Sequence, residues 1–210
     1  MSTDGGVTWT PVGASGQWVA MAATPDGMTV VAVGPGYYVQ YSTDGGANWV
    51  QRGSITNYTH VAISADGKRI VAAANDGVYV SNDAGVSWQK PVAVSAYRVA
   101  MSPSGSKVLA ATLSSTLYVS VNGGVNFLAR ETSRSWSGVR VSADAGVLVA
   151  SYTSGVSGGM IYSMDDGITW TQLATALYAA IAATPNLDIL YATSSNTTPI
   201  QVAGLSRYTT

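Results

Sequence analysis

Short apolar runs alternate along the whole chain with polar turns built from Gly, Pro, Asp and Asn. Gln17–Thr24 is followed by the turn Pro25-Asp26-Gly27, then by Met28–Val33, the turn Gly34-Pro35-Gly36, Tyr37–Tyr41, a polar octapeptide and Asn48–Arg52. The order then repeats with Tyr58–Ser64, Asp66-Gly67, Arg69–Ala74, Asp76-Gly77 and Val78–Val80. Runs this short, bounded by turn formers and rich in Val, Ile, Tyr and Trp, predict β-strands.

The octapeptide recurs as Ser2–Trp9, Ser42–Trp49, Ser81–Trp88, Ser120–Phe127 and Ser163–Trp170, at spacings of 40, 39, 39 and 43 residues. In each copy a Ser is followed two residues later by an acceptor: Asp4, Asp44, Asp83, Asn122 and Asp165. Such hydroxyl and carboxylate oxygens hold backbone N–H groups in tight turns. The glycine nearest the ring supplies positive φ. The closing ring, Trp9, Trp49, Trp88, Phe127 or Trp170, folds back over the loop. Asn122 keeps the acceptor and loses the charge, which suits a structural role and would ruin a catalytic one.

Four strands in roughly 40 residues, repeated, is the pattern of a β-propeller blade. The expected fold is all-β: a five-bladed propeller in one domain, with four antiparallel strands per blade, labelled A (innermost) to D. The blades fall at about 13–53, 54–93, 94–132, 133–175, and 176–210 completed by 1–12. Tyr208-Thr209-Thr210 aligns with Tyr41-Ser42-Thr43, so the N-terminal segment Ser2–Val12 is expected to close the ring as the missing D strand. That closure would remove two free sheet edges. The A strands are rich in alanine, as in Ala20-Met21-Ala22-Ala23, which suits strands crowded around an axis.

Composition narrows the function. Charged residues are only 10% of 210 and hydrophobic residues 47%, which excludes disorder. A net charge of −1 gives no global pull towards nucleic acid or anionic lipid, so no nucleic-acid partner and no membrane insertion are expected. With no cysteine, neither disulfides nor thiolate chemistry contribute. The most apolar stretch, 176–193, is broken by Pro185, Asn186 and Asp188, and polar residues follow Met1 directly. The expected origins are a cytoplasmically made protein, a virion component or a domain of a longer chain.

The Ser/Thr-x-Asp-x-Gly-x-Thr/Ser-Trp phrase resembles the Asp-box, or bacterial neuraminidase repeat, along the entire chain. The resemblance implies a propeller with its boxes on the C–D turns, structural and away from the ligand face. Functions carried by such propellers range from sialidases and other glycoside hydrolases to receptor ectodomains and assembly factors. A sialidase needs an arginine triad, a Tyr–Glu pair and an acid/base Asp. Here Glu131 is the one glutamate, and most aspartates belong to boxes or A–B turns. Asp76 and Glu131 remain, on loops of different blades, whereas a glycosidase needs its carboxyl pair about 5 to 9.5 Å apart. His60, the single histidine, lacks a nucleophile elbow and further metal ligands. No catalytic residue, metal or cofactor is expected, and the enzyme reading is disfavoured.

Binding is the stronger expectation. An aromatic residue opens each A strand: Trp18, Tyr58, Tyr97, Trp136 and Tyr178, with Tyr97 displaced by one position. These rings either form an open circle suited to sugar stacking or pack between blades. The box and A–B side holds nine acids and three bases, while the D–A/B–C side holds Arg52, Lys90, Arg98, Arg130 and Arg134 against Asp76 and Glu131. Arg52 and Arg130 therefore join the five rings as candidate ligand-binding residues, and the partner is expected to be carbohydrate or protein. The long B–C loops Tyr152–Gly159 and Ser194–Gly204 lie on that face. Asn57 and Asn196 match glycosylation acceptors, which mean little without a signal.

Overall fold

The computed structural model describes residues 1–204 apart from 3, 14, 114–115, 132–133, 155–156, 177, 188 and 195–200. All regular structure among them is antiparallel β-sheet. Strands β1 (Ala20–Ala23), β2 (Val30–Val33), β3 (Pro35–Ser42) and β4 (Val50–Ile63) form the first group. Then come β5 (Ile70–Ala74), β6 (Gly77–Ser81) and β7 (Gln89–Val92), followed by β8 (Ala96–Met101), β9 (Val108–Thr112), β10 (Leu117–Ser120) and β11 (Leu128–Glu131). A further sheet holds β12 (Ser135–Val141), β13 (Leu148–Ser154), β14 (Ser157–Ser163) and β15 (Thr171–Ala174). The last holds β16 (Tyr178–Ala183), β17 (Ile189–Ser194) and β18 (Gln201–Gly204).

Two segments expected to be separate, Asn48–Arg52 and Tyr58–Ser64, are one 14-residue strand, β4. Its first half pairs with β3 up to Pro35↔Asn57, and its second half pairs with β5 from Tyr58↔Ala74 onward. Two four-strand units thus share one continuous backbone, because no proline or tight turn falls within 53–57. Pro35 and Gly36, expected in a turn, belong to β3; Pro35 pairs with Asn57 of β4, and Gly36 is passed over at the first of two register shifts. The reversal there depends on Gly34, where a Cβ would lie 2.1 Å from the Gln17 carbonyl oxygen.

The first strands lie side by side in chain order, β1 beside β4, β4 beside β8, β8 beside β12 and β12 beside β16. The second strand of each unit is an uninterrupted apolar run, and alternate residues face opposite neighbours. In β5, Ile70, Ala72 and Ala74 pack with Val31, Val33 and Val39 of the preceding unit, while Val71 and Ala73 pack with Val99, Val108 and Ala110 of the next. Leu109 and Leu117 meet Trp136, Leu148 and Ile161, and Val149 and Met160 meet Ile181 and Leu190. Burying each such Leu or Ile is worth about 1.5–3 kcal/mol. The core therefore sits in layers between sheets.

The two outermost faces have no sheet against them among the described residues. On β17, Ile189 and Tyr191 are exposed. At the other end, a 330 Å³ apolar cleft on the first sheet is lined by Met21, Val30, Ala32 and Trp49, with Met1, Trp9 and Val12 leaning over it. The N-terminal segment forms its own loop, closed by a 2.8 Å bond from the Thr10 N–H to the Met1 carbonyl. The expected pairing partner, Tyr208-Thr209-Thr210, lies outside the described residues. No helix among the described residues is long and apolar enough to cross a membrane.

Candidate functional site

The five octapeptides form one turn, built the same way each time. In the second copy the Ser42 hydroxyl donates to Asp44 Oδ1 at 2.8 Å and accepts the Gly46 N–H at 2.9 Å. Asp44 accepts the Asn48 N–H at 2.9 Å and its side-chain amide at 2.7 Å, and the Trp49 indole donates to the Gly46 carbonyl at 2.7 Å. Asp83 and Asp165 repeat the set through Ser87 and Thr169. Asn122 accepts the Asn126 N–H at 3.0 Å with an uncharged oxygen, and the Phe127 ring has no N–H to donate. Hydrogen bonds hold the Asp4, Asp44, Asp83 and Asp165 carboxyls down at about 2. The largest contributions come from the side chains of Thr8, Ser87 and Thr169 in three copies and from the Asn48 N–H in the other. A carboxyl so committed is a poor proton donor near neutral pH.

A second recurring turn, only half visible as Asp-Gly in the sequence, joins the first and second strands. The hydroxyls of Thr24, Ser64, Ser102, Ser142 and Thr184 each accept an N–H five residues on, from Thr29, Arg69, Lys107, Val147 and Ile189. Three of them also donate to Asp26, Asp66 and Asp144. Backbone bonds of 2.7 Å from Ala65 to Pro103 and from Ala143 to Pro185 tie these turns to those of the next sheet. The side carrying both turns is thus spent on architecture.

The opposite side differs from its expected arrangement in an informative way. Four of the first strands shift register once, between Tyr58 and His60, Ala96 and Arg98, Trp136 and Gly138, and Tyr178 and Ala180, whereas β1 pairs with β2 without a shift. A bulge leaves one residue unpaired and re-aims it. Tyr58 and Trp136 precede the bulge and are wedged between sheets, at 1% and 6% exposure. Tyr97 occupies the bulge itself, which accounts for its one-residue displacement, and is 36% exposed. Trp18 is half-buried with its ring 5.0 Å from that of Tyr37. The Tyr178 side chain lies outside the described residues.

Around Tyr97 the bulge creates a 350 Å³ cleft, lined also by Val19, Pro35, Asn57, Thr59, Asn75 and Arg98. The Arg98 guanidinium stacks 3.8 Å from the Tyr97 ring centroid and donates to its hydroxyl at 3.0 Å. A similar stack, Arg134 over Tyr152 at 4.2 Å, lies farther along the same side. Arg52 and Arg130 are elsewhere. Arg52 pairs opposite Val39 in mid-sheet, and the two arginine stems pack against the box glycines Gly85 and Gly167 of the following units. Their sequence position after the box, within the fourth strand, aims them at the next sheet rather than at the cleft.

Asp76 and Glu131 each have their own partners. Asp76 accepts from Tyr79 Oη at 2.7 Å and pairs with Lys90 at 3.0 Å. Partial burial pushes its pKa up, but those hydrogen bonds outweigh it and leave the carboxyl below its usual range. Glu131 pairs with Arg134 at 3.3 Å. Among the described residues no group of His, Asp or Glu has metal-binding geometry. His60 and Arg140 line a hollow between the first strands, and burial, followed by the charges of Arg98 and Arg140, lowers the His60 pKa to about 4.

Residues 40–51 match the model of the BNR/Asp-box repeat. No curated protein matches it. Among solved structures, hydrazine synthase of Kuenenia stuttgartiensis aligns at TM-score 0.71 and 15% identity, over 92% of this chain and 66% of its own. The GH74 xyloglucanase of Xanthomonas campestris aligns at 0.69 and 15%, over 89% and 37%. YCF48 bound to the D1 peptide aligns at 0.64 and 19%, over 90% and 66%. The chain spans only 28% to 37% of the GH74 enzymes it resembles. Similarity at this level defines the fold, an all-β, propeller-like array of antiparallel sheets.

Proposed function

We propose that this chain is a five-bladed propeller, closed by its N-terminal segment against the C-terminal unit, that binds a carbohydrate without transforming it. The recognition surface is the cleft around Tyr97. A ring that is open to solvent, stiffened by a stacked guanidinium and flanked by the amides of Asn57 and Asn75 offers a stacking platform with hydrogen-bonding groups beside it. That observation carries the reading. The absence of catalysis is supported by the carboxylates: box aspartates are held by turn N–H groups, and Asp76 and Glu131 are neutralised in separate units. A glycosidase acid needs a raised pKa, and every aspartate with a displaced pKa here is lowered.

The similarity to a xyloglucanase favours a glycan ligand, while the peptide-bound YCF48 favours the second reading, a protein-interaction or structural component using the same cleft. Exposed Val19 at the cleft rim would suit a peptide side chain. The GH74 resemblance keeps a degenerate glycoside hydrolase as a third, minor reading. The test is titration of neutral oligosaccharides into the full chain, followed by NMR, beside the Tyr97→Ala variant. Millimolar binding that the variant loses is expected. No shift with any sugar, together with binding of extended peptides, would replace the glycan reading with the second. Release of reducing sugar would revive the third.

A further inference from the structure

We propose that the hollow between the first strands is a binding site for a small oxyanion, a carboxylate or phosphoryl group, held by Arg140 and His60. It goes beyond the glycan reading and does not rest on it. Strands β4 and β12 each contribute one basic group to the hollow's lining, and among the described residues neither has a carboxylate partner; Arg98 of the intervening β8 stacks on Tyr97 in the neighbouring cleft. The described ion pairs of the fold engage Lys90, Lys107 and Arg134 instead.

The hollow has room. It is an open hollow of 300 Å³, with the methyl groups of Ala22, Ala62 and Ala100 on its walls and His60 and Arg140 on its lining. Arg140 donates to the carbonyls of Val139 at 2.8 Å and Ile181 at 2.5 Å, which fixes its plane and leaves three of a guanidinium's five N–H groups unspoken for. The Nδ1 atom of His60 is shielded from water and makes no hydrogen bond. Buried polar atoms without partners are rare and ask for an explanation. Confining like charges in a partly desolvated space is unfavourable, and an anion among them relieves it.

The arrangement also sets a direction with pH. Burial first, and then Arg98 and Arg140, keep His60 neutral in the empty hollow; burial and Arg98 likewise weaken the hold of Arg140 on its proton. The other strands packed on β4 here, β1 and β5, bring no titratable side chain. An anion reverses the field at His60, so binding draws a proton onto the imidazole and tightens as the pH falls.

The experiment uses the full chain with inorganic phosphate and acetate as separate probes, against sodium chloride at equal ionic strength. Melting temperature is read alongside the imidazole resonances of His60. Saturable stabilisation by either probe, more pronounced at lower pH, with the His60 titration moving upward from about 4, is expected. Arg140→Gln weakens the effect about tenfold or more, whereas Lys68→Gln, on the turn side, leaves it unchanged. A response to phosphate alone assigns a phosphoryl ligand, and to acetate alone a carboxylate. Should Arg140→Gln fail to fold, His60→Gln takes its place, with melting temperature as the readout. An effect no larger than that of chloride, an equal effect in the Arg140 and Lys68 variants, or a His60 signal unmoved by both probes overturns the proposal. None of these outcomes touches the glycan reading, which is decided at Tyr97.

Discussion

The Ser42 hydroxyl donates to Asp44 Oδ1 at 2.8 Å while accepting the Gly46 N–H at 2.9 Å, so one buried oxygen relays a carboxylate's charge to a backbone amide. The relay recurs in the turns of Ser2, Ser81, Ser120 and Ser163. It explains why Ser is present in all five copies while the acceptor varies between Asp and Asn. Ser42 is 2% exposed, so Ser42→Ala strands the Gly46 N–H and removes a donor together. A loss of about 1–3 kcal/mol in urea denaturation is expected, whereas Asp44→Asn is expected to cost much less, as the natural Asn122 turn indicates.

Backbone conformation gives a second, opposite pair of expectations. Each box turn places two successive residues at positive φ, and Ala84 takes the first position at 59° where Gly45 takes it at 69°. An L side chain there is strained, so Ala84→Gly is expected to stabilise by up to about 1 kcal/mol. Gly46→Ala is expected to destabilise by more, since φ is 92° and a Cβ would press on Trp49 Cζ2 at 3.3 Å. Thermal denaturation of the two variants checks both signs.

Acid should weaken the fold in a defined window. The box carboxyls have folded-state values of about 2, below an ordinary 3.8, so their contribution is complete above about pH 4 and is lost as pH falls towards 2. Melting temperature is therefore expected to drop steeply between those limits. Replacing Asp44, Asp83 and Asp165 by Asn together should flatten that drop.

The buried and exposed tyrosines separate stability from binding. Tyr58→Ala empties a site with 1% exposure and is expected to cost about 3–5 kcal/mol. Tyr97→Ala loses a surface stack and is expected to cost under about 1 kcal/mol while abolishing oligosaccharide binding. Denaturation and NMR titration on the same samples distinguish the two effects.

Periodic features were readable because each repeat announces them locally. Ser, Asp, Gly and Trp at fixed offsets need no knowledge of tertiary structure to imply a turn, and the short Val and Ala runs imply strands buried on both faces. Features set by register were not readable. One unpaired residue in each of β4, β8 and β12 decides that Tyr97 faces a cleft while Tyr58 and Trp136 are buried, and composition carries no trace of it. Arg52 looked like a loop-face residue because β4 was expected to break after it. The continuous strand instead keeps it in the sheet. The approach of His60 and Arg140 to one hollow depends on the alignment of successive sheets, and the left-handed Leu187 at φ 61° stands where three units have Gly27, Gly67 and Gly105 and the fourth has Ala145.

The most direct test of the claim that the recurring aspartates hold turns rather than carry out reactions is a carboxyl-detected NMR titration of the intact chain. The Asp44, Asp83 and Asp165 carboxyl shifts should stay flat from about pH 6 down to about pH 3 and begin to move only as their values near 2 are approached. A midpoint at or above the ordinary 3.8 in these three residues would contradict the account.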